Sequence, residues 1–249
     1  MVKVGIIGGS GLDDPDILQG TQEVTVDTPF GQPSSPLTCG RLNGAEVVMI
    51  ARHGRKHQFS PSQVNYRANI RALKDQGVTH ILATTACGSL REEINRGDFV
   101  ILDQFIDLTR HRKTTFFDTF EQGPRHTSMA EPFDSRLRGV LLETAAELKL
   151  NAHARGTVVT IEGPRFSSKA ESHMYRLWGA DVINMSIAPE AILSNEIDIP
   201  YAAVAMSTDY DCWKDDEAPV TWDDILEVFE KNASNVKKLL LNTIPKINL

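Results

Sequence analysis

The sequence has little cysteine and no long hydrophobic run, and each lack removes a class of protein. Its three cysteines, Cys39, Cys87 and Cys212, are odd in number and widely separated, so neither a disulfide framework nor a Cys-x-x-Cys zinc site is expected. A reducing, cytoplasmic setting without a metal site follows. No apolar stretch approaches the roughly 20 residues that span a bilayer. The start, Met1-Val2-Lys3, leads straight into Val4-Gly5-Ile6-Ile7 without the apolar stretch and cleavage site of a secretory leader, so a membrane is not an expected partner. Basic charge is also short: 26 Lys plus Arg face 33 Asp plus Glu, a net charge of −7. With no basic stripe to track a phosphate backbone, nucleic acid is excluded as a partner. Repeats and low-complexity tracts are absent, and 249 residues with 41% hydrophobic and 24% charged content predict one folded domain over 1–249 with a sizeable core.

What is present is an alternation of short apolar runs with amphipathic stretches. Strands are predicted at Val2–Ile7, Val24–Val26, Leu37–Cys39, Glu46–Ala51, His80–Thr85, Asp98–Phe105, Gly156–Glu162, Asp181–Ser186 and Ala202–Asp211. Helices are predicted at Asn65–Gln76, where Tyr66, Ile70 and Leu73 recur at helical spacing, at Ser135–Leu148 and at Ser168–Trp178. A further helix is opened by Pro189 and a last one is capped by Thr221 with Asp224 in its first turn. This is the pattern of an α/β fold, a central sheet flanked by helices, with its ligand site along one edge of the sheet.

Polar residues gather where the predicted strands end. Gly8-Gly9-Ser10-Gly11 lacks both the Gly-Lys-Ser/Thr ending of a P-loop and the third glycine of a dinucleotide fingerprint; it is either an anion-binding turn or a tight turn and nothing more. Arg52-His53-Gly54-Arg55-Lys56-His57 offers guanidinium and imidazole donors suited to phosphate, or forms a solvated basic loop. Ala86-Cys87-Gly88-Ser89 reads as a turn of small residues that leaves room for a ligand, with Cys87 a buried thiol rather than a nucleophile. The polar segment 107–130, carrying His126, is long enough for a lid, an interface arm or a disordered insertion. The run Ala202–Met206 delivers Asp209 and Asp211 at a strand end. Two apart on an extended chain, they face one spot, where like charge and burial would keep one carboxyl protonated near neutrality; otherwise they mark a solvated strand exit.

Longer motifs go further. Gly8–Leu12, Asp27-Thr28-Pro29-Phe30-Gly31, Arg52-His53-Gly54, Thr84–Ser89, Thr160-Ile161-Glu162-Gly163-Pro164-Arg165-Phe166 and Ser207–Trp213 together resemble the 5′-methylthioadenosine phosphorylases of the trimeric purine nucleoside phosphorylase family. The likeness runs in order along nearly the whole chain. It implies a mixed central sheet and phosphorolysis of 5′-methylthioadenosine to adenine and 5-methylthioribose 1-phosphate, in methionine and purine salvage, without a cofactor and with inorganic phosphate as co-substrate. It further implies phosphate binding by Ser10, Arg52, His53, Thr85, Ala86 and Ser186, ribose against Met185, and the purine near Phe166, with Asp209 and Asp211 as the catalytic and base-reading pair. Selection of the 5′ group would fall to Ser167, Trp222, Ile225 and Leu226, with His126 reaching in from a neighbouring subunit of a homotrimer. Trp222 departs from the smaller aliphatic residue common at its position. The alternative within the family is a purine nucleoside phosphorylase of broader or 6-oxopurine specificity. A water-using nucleosidase and a nucleotide-binding module are the readings outside it.

Overall fold

The computed structural model describes residues 2–8, 18–121, 123–217 and 221–248, without the side chains of Trp222, Ile225, Leu226, Phe229, Lys231 and Asn248. In chain order the elements are β1 (Lys3–Gly8), β2 (Gln19–Val24), β3 (Leu37–Leu42), β4 (Ala45–Ala51), α1 (Tyr66–Asp75), β5 (His80–Ser89), β6 (Phe99–Ile101) and β7 (Gln104–Leu108). There follow α2 (Ser135–Glu147), β8 (Ala152–His153), β9 (Thr157–Ile161), α3 (Lys169–Leu177), β10 (Val182–Asn184), α4 (Ile187–Glu196), β11 (Tyr201–Tyr210) and α5 (Trp222–Thr243). A 3-10 turn over Ile244–Asn248 closes the described chain.

These strands form one mixed sheet in the order β2-β3-β4-β1-β5-β10-β9-β7, with β11 also on β5 and leading to β6 and β8. The long strand β5 is its hub. Its first half lies parallel to β1, its far end runs antiparallel to β10, and β11 lies parallel to it along most of its length. Side chains alternate between two cores, as a sheet covered on both faces requires. Val4, Ile6, Val47, Met49, Leu82, Ala202, Val204 and Met206 pack with Leu137 and Leu141 of α2 and Val236 and Leu240 of α5. Ile7, Val48, Ile50, Ile81, Ala83, Ala203 and Ala205 pack with Ile70 and Leu73 of α1 and Ile187 and Ala191 of α4. Helix caps fix where the helices begin: Asn65 accepts from Ala68, Asp134 from Leu137, and capping boxes pair Ser168 with Glu171 and Thr221 with Asp224.

Several predicted boundaries change. The strand expected over Asp98–Phe105 is two strands, because the chain crosses between partners at Leu102 and Asp103, whose N–H groups bond Ala203 and Gly156. Residues 86–89 are not a turn but the continuation of β5; their small size lets Asp209 and Ile183 close on Gly88, where an added Cβ would meet both at 3.1 Å. The first hairpin strand precedes its expected position, ending at Val24, and Pro189 stands third in α4, among the residues whose N–H needs no helical partner. The two-residue strand β8 has no sequence signal of its own. Leu73 lies fully buried between α1 and the sheet. Leu73→Ala should therefore cost about 2–5 kcal/mol through the cavity it leaves, read as a lowered midpoint of urea unfolding.

Candidate active site

The carboxyl ends of β4, β5, β10 and β11 open on one cavity of about 540 Å³, a volume suited to a small ligand and placed where open α/β sheets bind theirs. Arg52, His53, Thr85, Ala86, Phe166, Ser167, Met185, Ser186, Asp209 and Asp211 all line it. His126 does not; it is exposed on the 109–134 connection, edge-on to Phe120. Ser10 lies outside the described residues, as do the side chains of Trp222, Ile225 and Leu226, whose backbone forms the first turns of α5.

One end of the cavity is built to hold an anion. Arg52 follows directly from β4 and is only 2% exposed. Its Nε and Nη2 donate to the two carboxylate oxygens of Glu190 at 2.5 and 3.0 Å, and Nη1 donates to the Thr84 carbonyl at 2.9 Å. That engages three of its five N–H donors and holds the planar fork in place. Burial alone would lower the Arg52 pKa; Glu190 more than offsets it, so the guanidinium stays charged. Tyr201 on β11 donates to the same carboxylate at 2.8 Å. Beside Arg52, burial first and the guanidinium second push the His53 pKa down to about 4. The ring is neutral at pH 7, and its Nδ1 lies 2.9 Å from the Phe59 carbonyl, which assigns the proton to Nδ1 and leaves Nε2 an acceptor.

Ser186 supplies the third element. It is the N-cap of α4, yet its side chain makes no capping bond, leaving a buried hydroxyl at the positive end of a helix. Asn184 organises this corner: its Oδ1 accepts from Thr160 Oγ1 at 2.9 Å and from the Ser186 N–H at 3.4 Å, and its Nδ2 reaches Thr85 Oγ1 at 3.4 Å.

The opposite end carries the two carboxyls, each 5% exposed. A bulge between Ser207 and Asp209 breaks the register of β11 against β5, and both Asp209 Oδ2 and Asp211 Cβ lie over Gly88. The strand-end expectation that they share a site thus meets a more particular geometry, with the bulge setting the direction of Asp209. Burial raises the Asp209 pKa to about 7; the Thr208 hydroxyl opposes this and the Asp211 charge adds to it. Burial raises Asp211 too, against the hydroxyls of Ser172 and Ser167 and the Cys212 N–H. Asp211 Oδ2, Ser167 Oγ and Ser172 Oγ thus form a buried polar cluster whose contacts, among the described residues, fall short of well-formed hydrogen bonds.

Four contributors escaped the sequence reading. Glu190 had a signal, a carboxylate inside the apolar Ile187–Leu193 stretch, which demands a buried partner. Asn184 and Thr208 had none beyond their place near strand ends. Arg112, within the polar 107–130 segment, turns inward: its side chain is 1% exposed, and its guanidinium donates to the carbonyls of Ile161, Glu162 and Met185, to Tyr66 Oη and to Glu162 Oε1. Burial would raise the Glu162 pKa, but the N–H groups of Arg110 and His111, the Ser62 hydroxyl and Arg112 bring it down to about 2.

A sequence profile of the phosphorylase superfamily matches residues 3–245. The chain belongs to the phosphorylase superfamily. Within it, the S-methyl-5′-thioadenosine phosphorylase of Xenopus tropicalis is 57% identical over 250 residues, covering 99% of this chain and 89% of that protein. The namesake from Danio rerio is 56% identical with the same coverage. Methylthioadenosine phosphorylase from Schistosoma mansoni in complex with adenine superposes with a TM-score of 0.94 at 43% identity, over 100% of this chain and 92% of the other. A mutant of the adenosine/methylthioadenosine phosphorylase of that organism, bound to methylthioadenosine, gives 0.93 at 43% identity, with the same coverage.

The Arg52–Glu190 pair yields a direct prediction. Glu190→Gln should lower stability by about 3–5 kcal/mol, because a buried guanidinium loses its counter-charge. Urea denaturation measures the loss, and addition of phosphate should recover part of it by supplying an anion to the same guanidinium.

Proposed function

We propose that this chain is an S-methyl-5′-thioadenosine phosphorylase, a pentosyltransferase that converts 5′-methylthioadenosine and inorganic phosphate to adenine and 5-methylthioribose 1-phosphate. The observation that carries the reading is one cavity holding a cationic, helix-capped end and a pair of buried carboxyls at the other. Phosphate sits against Arg52, His53, Thr85, the Ala86 backbone and Ser186, joined by Ser10, and attacks the anomeric carbon of a ribose held against Met185. The purine lies between Phe166 and the carboxyls. As the glycosidic bond breaks, its electron pair moves into the base, and protonated Asp209 donates to N7, so adenine leaves neutral. A pKa near 7 suits this donor, which stays protonated up to neutrality without being too weak an acid to transfer.

Asp211 reads the 6-amino group. Asp211 lines the cavity, and its carboxyl accepts an amino N–H where a 6-oxopurine would present only lone pairs. The 5′-methylthio group is placed against Ser167 and against Trp222, Ile225 and Leu226 at the start of α5, with His126 of a neighbouring subunit closing the pocket in a homotrimer. The protein works as one domain over 1–249, in the cytoplasm, in methionine and purine salvage, with phosphate its co-substrate and no cofactor. Among the described residues no helix is long and apolar enough to cross a membrane.

The pure protein should release adenine from 5′-methylthioadenosine only when inorganic phosphate is present; release that ignores phosphate would assign the chain to hydrolysis instead. Because the acid must be protonated and its pKa is near 7, kcat/KM should hold below neutrality and fall as pH rises through about 7. Asp209→Asn should lower kcat by about 10²–10⁴-fold and remove that fall. Asp211→Asn puts an amide donor where the carboxylate stood. The ratio of kcat/KM for 5′-methylthioadenosine over 5′-methylthioinosine should then drop by at least about tenfold, and an unchanged ratio would remove Asp211 from base recognition.

A further inference from the structure

Thr208 is the extra residue of the β11 bulge: Ser207 pairs with Cys87 and Asp209 with Gly88, and Thr208 between them has no partner on β5. A bulge of this kind re-aims a side chain, and here it brings a buried hydroxyl to the Asp209 carboxyl and the Cys87 carbonyl. That hydroxyl has one proton and two acceptors within reach, Asp209 Oδ1 at 2.7 Å and the Cys87 carbonyl at 3.2 Å. The shorter contact has the length of a hydroxyl bonded to a carboxylate, the longer that of a weak neutral bond. Among the described residues Thr208 alone hydrogen-bonds the Asp209 carboxyl, and it does so through Oδ1. Oδ2 lies instead over Gly88 in the cavity lining.

We infer that Thr208 is a positioning residue for the catalytic proton: by donating to Oδ1 of Asp209 it confines the transferable proton to Oδ2, the oxygen nearer the base. The inference rests on the reading of Asp209 as the general acid. In the protonated enzyme Oδ1 is the carbonyl-type oxygen and accepts from Thr208, while Oδ2 carries the hydrogen. On transfer the Oδ2–H bond breaks and an N7–H bond forms. The bonding pair stays on the carboxylate, and the Thr208 bond tightens onto the charge that appears. The Cys87 carbonyl offers the hydroxyl a second resting place. A proton on Oδ1 would point it at Thr208, away from the base, and the threonine would then have to turn to Cys87 to accept it. The titratable groups around Asp209 come from other elements: Asp211 beyond the end of its own strand, Arg96 before β6, Glu217 after β11 and, on β5, the Cys87 thiol, which burial keeps neutral. None of these selects between the two oxygens by direct contact.

The test compares Thr208→Val, which keeps the shape and removes the hydroxyl, with Thr208→Ser, which keeps the hydroxyl. Thr208→Ala is run beside them in case the valine variant does not fold. The pH dependence of kcat and kcat/KM for 5′-methylthioadenosine is measured at saturating phosphate. Valine or alanine should lower kcat by about tenfold or more, the worth of a hydrogen bond to a charged group. The high-pH limb of kcat/KM should move to higher pH, because the donor that favoured ionised Asp209 is gone. Serine should restore both. A lowered kcat with an unmoved limb, or a serine variant no better than valine, overturns the role of Thr208. An unaltered protein that cleaves the nucleoside without phosphate, or not at all, overturns the functional reading on which that role rests.

Discussion

The buried pairing of Arg52 with Glu190 is the constraint on which the rest of the site depends. Three elements meet in it: Arg52 leaves β4, Glu190 belongs to the first turn of α4, and Tyr201 opens β11 with its hydroxyl on the same carboxylate. Neither ion could be buried alone, and removing one would leave the other uncompensated in a medium that solvates charge poorly. The pair therefore fixes α4 against the sheet edge, and with it the uncapped Ser186 at the helix start. A guanidinium with two N–H donors left over among the described residues, held rigidly and kept charged, is better prepared for a phosphate than one that must be collected from solvent.

From that end to the other the cavity is electrically polarised. Arg52, a neutral His53 and a helix N-terminus stand at one side, and two carboxyls with raised pKa values stand at the other. The same physical term, loss of solvent, acts on both ends with opposite results. It drives His53 toward its uncharged form, with the Arg52 charge adding to it, and Asp209 toward its protonated form, with the Asp211 charge adding to it, which leaves a neutral imidazole beside Arg52 and an acid that can give up a proton. A bound anion and a proton donor are thereby available to one and the same cavity.

Much of the architecture was legible because it is written in local patterns. The continuous apolar runs Val4–Ile7, Val47–Ile50 and Ala202–Met206 mark strands buried on both faces, and Asn65, Ser168 and Thr221 announce their helices. The strand-end residues that line the cavity were legible for the same reason, since a strand that stops must present whatever follows it. What was not legible depends on distant segments meeting. Residues 86–89 look like a turn until Asp209 and Ile183 are placed on Gly88. The split between β6 and β7 exists because Ala203 and Gly156 receive successive N–H groups. The bulge at Thr208 is a register property of two strands, and no single strand encodes it.

Arg112 pins the segment that carries it. Its five N–H groups reach carbonyls and side chains on β9, the loops after β9 and β10, and α1. The polar stretch around it looks in sequence like something that swings. Lifting it away would strand five donors and three carbonyls at once, so Arg112 holds from behind the backbone of Ile161 and Met185, which line the cavity. A ligand that touches Ile161 and Met185 meets a surface already tied down, and ordering those two residues takes nothing from its affinity.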